Sequence, residues 1–188
     1  MTSIRINGQE VPINASLLSI EHEGYLGRGG TRFSSNTPYT LLESSIYKAF
    51  TKLFVKEASS TKFNLTVSSP TKSFSVCYVA SSVKVTSVGP VVPTIDLELG
   101  GKKGVVWSIV GANSMVKVKN KKNNKLDLWC LGFVDSGVDI KTPIVIGAKQ
   151  LEENLMQFDI GSNKLGFTSL HNSSLKCGNF NVTDFAKK

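Results

Sequence analysis

Residues 43–58 are the long stretch of this chain in which apolar side chains recur at helical spacing. Leu42, Ile46, Ala49, Phe50, Leu53 and Phe54 fall three and four residues apart and make one apolar face over about four turns. Lys48, Lys52 and Lys56 share the opposite face. That lysine face reads either as a membrane-surface helix or as the solvated back of a core helix, and the second is the simpler reading. Elsewhere the apolar runs are short, rich in Val, Ile and Thr, and cut by Gly, Pro and Ser, which is strand and turn chemistry. A chain of 188 residues, 40% of them hydrophobic, is long enough for one well-buried domain and short for two. The expectation is a mainly β fold that packs against one long helix.

The strand signals follow in order. Residues 3–6 and 10–13 flank Asn7-Gly8, a pair that favours a tight hairpin. Residues 76–79, 95–99, 105–110, 115–118 and 126–134 read as further strands. The lysine- and asparagine-rich residues 117–125 read as a solvated hairpin tip in preference to a nucleic-acid patch. Ile144-Val145-Ile146 stops at Gly147, as a buried strand does where it turns and no side chain fits. Residues 155–160 and 164–167 form a hairpin pattern around Gly161-Ser162-Asn163, with Asp159 placed to accept the turn amides.

Composition excludes several function classes. A formal charge of +8 suits nucleic acid, an anionic cell wall or an acidic protein partner. The chain has no aromatic-basic RNA motif and no helix-turn-helix pattern, so nucleic acid is disfavoured. No apolar run approaches the roughly 20 residues that span a membrane. The glycines of residues 24–30 lead into a strand signal, Thr31-Arg32-Phe33, which is wrong for a dinucleotide site. His22 and His171 are too few for a zinc cluster, and no cofactor or metal is expected. The first residues lack a signal-peptide core and read as an interior strand pair, as if the chain starts partway through a larger, secreted parent. Asn14, Asn64, Asn172 and Asn181 head glycosylation sequons. The three cysteines, Cys77, Cys130 and Cys177, leave one over if a disulfide forms, and three buried thiols are the alternative.

Several motifs carry a family resemblance. They are the Ile-Gly stop at 146–147 followed by Phe158-Asp159 and Gly166-Phe167, then Thr37-Pro38-Tyr39-Thr40, Val106-Trp107, Cys130-Leu131-Gly132, the run from Gln150 to Leu155, and Cys177-Gly178-Asn179-Phe180. Across residues 3–181 the chain resembles the C-terminal lobe of pepsin-like aspartic proteases. It resembles more closely their non-proteolytic plant relatives: xylanase and xyloglucanase inhibitors, extracellular dermal glycoproteins and basic 7S globulins. The resemblance implies one lobe of a pepsin-like β-barrel fold, with a long helix near 43–58, a short helix near 148–153 and the N-terminal lobe absent from this chain. It also implies a Cys77–Cys130 disulfide, with Cys177 pairing to the missing lobe.

Pepsin-like catalysis needs one Asp from each lobe, because two close carboxylates share a proton and divide the acid and base roles. Laid on this chain, the family's Asp-Ser-Gly-Thr loop falls on Ser34, Ser35, Asn36 and Thr37, with Thr40 and Leu42 also matching. Ser34 takes the place of the Asp, and a hydroxyl cannot replace a carboxylate as general base. Asp135-Ser136-Gly137 spells the protease tripeptide, but Val138 follows it and no helical pattern does, so it reads as a turn. The implied activity is therefore not catalysis. It is inhibition of a microbial cell-wall glycoside hydrolase, a xyloglucan-specific endoglucanase or a xylanase, by a secreted apoplast protein. His171, Lys176 and Lys62 are the contact candidates. The alternative is a basic 7S globulin-like seed or stress glycoprotein that binds a peptide hormone or polysaccharide.

Overall fold

The computed structural model describes residues 1–21, 27–100, 104–119, 127–162 and 164–170, in two compact units, Met1–Gln150 and Leu151–Lys188. The first unit begins with β1 (Ser3–Ile6), β2 (Gln9–Glu10), α1 (Ala15–Leu18), β3 (Ile20–Glu21), β4 (Arg28–Gly29), β5 (Thr31–Phe33), β6 (Thr40–Leu42) and α2 (Ser44–Ala58). It continues through β7 (Val67–Ser68), β8 (Cys77–Val79), β9 (Val85–Thr86), β10 (Gly89–Pro90), β11 (Ile95–Leu99), β12 (Val105–Ile109) and α3 (Gly111–Ser114). β13 (Met115–Lys119), β14 (Asp127–Leu131), β15 (Phe133–Asp135), β16 (Ile144–Ile146) and α4 (Ala148–Leu151) close it. The second unit is a hairpin of β17 (Asn154–Asp159) and β18 (Lys164–Ser169).

Among the described residues the first unit is built from three four-stranded sheets, with two-stranded pairs β9-β10 and β3-β4 beside them. In the first, ordered β12-β11-β1-β2, Asn7 and Gly8 take φ of 50° and 82°, the left-handed pair that a tight hairpin turn requires. Antiparallel register sets Ile4 opposite Leu97 and Ile6 opposite Ile95, and all four are buried. A slip of one residue would turn that apolar set to solvent and bring the Arg5–Asp96 pair inside. The second sheet, β13-β14-β8-β7, places Cys77 opposite Cys130, and the two form a disulfide.

Helix α2 behaves as its spacing predicts. Glu43 caps it, its carboxylate accepting from the Ser45 and Ile46 amides and from the Ser45 hydroxyl. Ile46, Tyr47, Phe50, Phe54 and Ala58 are buried, and the helix packs on β1 and β15. Phe50 lies 4.7 Å from Phe133, ring centre to ring centre. Burial of side chains of this size contributes roughly 1.5–3 kcal/mol each. The buried stripe is turned slightly from the expected one: Tyr47 belongs to it, while Ala49 and Leu53 are only half-buried. Lys48, Lys52 and Lys56 are exposed. Among the described residues no helix is long and apolar enough to cross a membrane.

Three boundaries differ clearly from the sequence reading, and the first is β2, which covers only Gln9–Glu10 where a strand over 10–13 is expected. The single strand expected over 126–134 is two, β14 and β15, in different sheets. Gly132 divides them because the backbone there is crowded: an added Cβ would lie 3.1 Å from Val116 and 3.3 Å from the Ser114 carbonyl. The short helix expected near 148–153 stops at Leu151, and Glu153 has a φ of 52°, which no α-helix continues through.

Candidate functional site

The third sheet, β15-β6-β16-β5, creates the site. β16 runs parallel to β5 and antiparallel to β6, so it lies between two strands that are close neighbours in sequence. Residues 34–39 connect β5 to β6 and must therefore cross the C-terminal end of β16. The Ser34 amide donates to the Ile146 carbonyl at 2.9 Å, which fixes the start of the crossing. Within the loop the Ser34 and Thr37 hydroxyls hydrogen-bond at 2.8 Å.

The residues after β16 hold the loop from below. The Ala148 and Lys149 amides, at the start of α4, donate to the Thr37 and Pro38 carbonyls at 2.7 and 3.0 Å. These donors have no partner inside their own helix, and the loop supplies one. The Gly147 amide donates to the Thr40 hydroxyl at 3.1 Å. Gly147 is needed for closeness: a Cβ there would sit 2.3 Å from the Tyr39 carbonyl carbon and 2.8 Å from the Thr37 oxygen. Gly147→Ala should therefore push the loop off β16 and destabilise the first unit by about 2–3 kcal/mol, measurable by denaturant unfolding.

Gln150 completes the support and is the residue that sequence reasoning missed. Fully buried, its side-chain oxygen accepts from the Thr40 amide (3.0 Å) and hydroxyl (2.7 Å). Its amide nitrogen donates to the carbonyls of Asn113 (3.0 Å) and Gly132 (3.1 Å). One side chain thus joins β6 to the segment before β13 and to the β14–β15 break. The signal was present in the Gln150–Leu155 motif, but the motif alone does not reveal a buried amide. On the other flank Tyr39 packs edge-on against Phe74, ring centres 4.9 Å apart, within the cluster around Cys77 and Cys130.

Asp135 lies at the wrong end to serve this loop. β15 pairs Asp135 with Leu42, the last residue of β6, whereas the crossing loop precedes Thr40, the first. Its carboxylate accepts from the Ser44 hydroxyl at 2.6 Å and the Gly137 amide at 2.9 Å. Asp135 ends β15, and its carboxylate, by accepting the Gly137 amide, makes an Asx-type bend as the strand leaves the sheet, with Gly137 at a φ of 90°. The Ser44 hydrogen bond, then the Gly137 amide and the nearby Lys48, hold the Asp135 carboxyl below its ordinary 3.8. A depressed pKa stabilises the fold above the unfolded value, and that contribution is lost as pH falls through the native value. Asp135→Asn should therefore be less stable than the parent near neutrality, with the gap closing as acid protonates Asp135, read from unfolding curves along a pH series.

Of the contact candidates, Lys62 is described. It is exposed, with its ammonium 3.5 Å from Asn7 Oδ1 and 5.1 Å from the centre of the Phe63 ring. Those partners belong to the β1–β2 turn and to its own loop. Lys62 borders an open groove of about 470 Å³ that Lys84 also lines. His171, Asn172, Lys176, Cys177 and Asn181 lie outside the described residues. Asn14 caps α1 through its side-chain oxygen, and Asn64 is exposed in the Lys62 groove.

The profile of the xylanase inhibitor C-terminal family matches residues 1–169. The chain belongs to that family. Proteins similar to the chain carry different names. It is 50% identical over 187 residues to a probable aspartic proteinase, GIP1, of Glycine max, covering 99% of this chain and 42% of that protein. It is 32% identical over 180 residues to the basic 7S globulin of Glycine max, covering 94% and 38%. Among solved structures it is similar to edgp, at 44% identity and a TM-score of 0.83, covering 96% of this chain and 41% of that one. The fold is thus that of a pepsin-like lobe, and the chain spans about two-fifths of the length of these relatives.

Proposed function

We propose that this xylanase inhibitor C-terminal domain is the C-terminal lobe of a secreted, non-proteolytic plant protein that inhibits a microbial glycoside hydrolase by occupying its cleft. The observation that carries the reading is the crossing loop over β16. The resemblance to pepsin-like proteases assigns Ser34 the place of the catalytic Asp, and the reading is supported by the Ser34 hydroxyl's engagement with Thr37 at 2.8 Å. A serine–threonine hydroxyl pair offers no general base near neutral or acid pH. The proteinase name of one relative is set against that loop chemistry.

Glycoside hydrolases commonly use two carboxylates roughly 5–9.5 Å apart in an acidic cleft. A lobe of charge +8 favours approach to such a cleft, and lysines or a histidine at its mouth gain charge-assisted hydrogen bonds. His171 and Lys176 in the tail, with Lys62 in the loop before Cys77, are the residues assigned this role; Cys177 joins the tail to the N-terminal lobe. Titration of a xylanase and a xyloglucan-specific endoglucanase with the two-lobe protein should give saturable inhibition of at least one. No inhibition of either at micromolar concentration overturns the proposal. If inhibition survives replacement of His171 and Lys176 by Ala, the contact lies elsewhere.

The match to a basic 7S globulin favours a second reading, a cationic seed or stress glycoprotein that binds a peptide hormone or polysaccharide. Under that reading neither hydrolase responds, and a peptide or polysaccharide binds the same protein.

A further inference from the structure

We propose that the exposed line of α2 formed by Lys48, Lys52 and Lys56 is a docking site for a linear polyuronate, a polysaccharide that carries a carboxylate on each ring. The exposed residues of the helix are Ser45 and these three lysines, and every other residue of α2 is buried or half-buried. At four-residue spacing and about 1.5 Å of rise per residue, successive lysines start roughly 6 Å apart along the axis. The helix is held beneath them, because Ile46, Phe50 and Phe54 on its other side are locked in the core. The result is a fixed row of positive charge about 12 Å long.

The row works against the helix that carries it. Like charges four residues apart on a helix repel, and Lys48–Lys52 and Lys52–Lys56 are two such pairs. No Asp or Glu stands three or four residues from any of the three. Glu57 of α2 accepts from the Asn7 side-chain amide at 2.8 Å, and Glu43 is engaged as the cap. Asp135, the carboxylate that Lys48 acts on, is already bonded to Ser44 and Gly137. The ion pairs among the described residues, Arg5–Glu98, Arg28–Asp139 and Lys117–Asp127, use none of the row. Repulsion that the fold does not offset is relieved when an external polyanion lies along the helix.

The chemistry of the row selects the partner. Helices that bind an anionic lipid surface also insert Trp, Phe or Leu, and the apolar face of α2 is already buried in the core. Single-stranded nucleic acid is held on aromatic platforms, and the exposed line of α2 has none. Lysine ammonium groups are hydrated point charges, not the planar forks that clasp one carboxylate in two bonds. A row of them therefore suits many equivalent anions at regular intervals better than a single one. A polymer with one carboxylate per sugar ring supplies that array. Lys62 lies in the loop after α2, and His171 and Lys176 lie in the tail, so the row uses none of the proposed inhibitory contacts and does not rest on them.

Binding of the two-lobe protein to polygalacturonate in low salt, measured by titration calorimetry, is compared among the parent, Lys52→Glu and two triple variants of equal charge loss. One triple, Lys48→Gln/Lys52→Gln/Lys56→Gln, removes the row; the other, Lys72→Gln/Lys84→Gln/Lys141→Gln, removes exposed lysines elsewhere. The row triple should lose at least about tenfold in affinity and the other triple less than about threefold. Lys52→Glu gives Lys48 and Lys56 an acid four residues away, so it should raise Tm while it weakens binding, which a merely structural role of Lys52 would not do. The fully methyl-esterified polymer, which keeps the rings and loses the charge, should not bind. Equal losses from the two triples, binding of the esterified polymer, unchanged affinity in Lys52→Glu, or no binding by the parent overturns the proposal. So does tighter binding of a DNA duplex or of phosphatidylserine vesicles that depends on the same row. Hydrolase rates do not enter, so this result and the inhibitor result fail separately.

Discussion

Gln150→Leu is expected to destabilise the protein by about 3–4 kcal/mol, because it strands several buried polar groups at once. Leucine fills much of the space but accepts nothing from the Thr40 amide and donates nothing to the Asn113 and Gly132 carbonyls. Each buried group left without a partner costs about 1–3 kcal/mol, and partial relaxation or water entry keeps the total below the plain sum. For a chain of this size the change corresponds to a fall of roughly 10 °C in Tm. Gln150→Glu separates the two halves of the argument. Glutamate preserves the acceptor for Thr40 yet has no amide nitrogen for the two carbonyls, so it should also be strongly destabilised. If calorimetry finds both variants within about 1 kcal/mol of the parent, the buried amide does not hold the loop.

Removing the disulfide should have an effect of similar size. Cys77 and Cys130 are fully buried and 53 residues apart in sequence, and in the chain-entropy model such a loop contributes about 4 kcal/mol. The bond also has a local role, since the cluster around it receives Phe74 and, against Phe74, Tyr39 of the crossing loop. The double variant Cys77→Ala/Cys130→Ala is therefore expected to lose stability globally and to expose residues 34–39 to amide exchange more than residues of β1 and β11. Equal protection of the loop in parent and variant would show that Tyr39 does not transmit the anchoring.

What the sequence revealed depended on periodicity and on local stops. α2 was legible because four turns of apolar repeats leave little choice, and β16 because three apolar residues end at a glycine with no room for a side chain. The hairpins at Asn7-Gly8 and around Gly161 were legible from turn chemistry; in the second, the Asp159 carboxylate accepts the Ser162 amide as expected. The division of 126–134 was not legible, because the crowding at Gly132 comes from Ser114 and Val116, brought there by sheet pairing. α1 and α3 are four residues each, too short to leave a periodic trace. Gln150 was hidden for a related reason: a polar residue gives no hydrophobic signal, and its bonds to Thr40, Asn113 and Gly132 are set by tertiary packing. The support of residues 34–39 comes likewise from tertiary pairing, of β16 with β5 and β6, which no local pattern announces.

The loop that crosses β16, residues 34–39, contains no carboxylate to activate water. The direct measurement is proteolysis of an unfolded protein substrate at acid pH by the two-lobe protein, with and without pepstatin. No cleavage above the pepstatin-treated background is expected; pepstatin-sensitive cleavage that follows the purified protein would mean that this lobe does aim an acid.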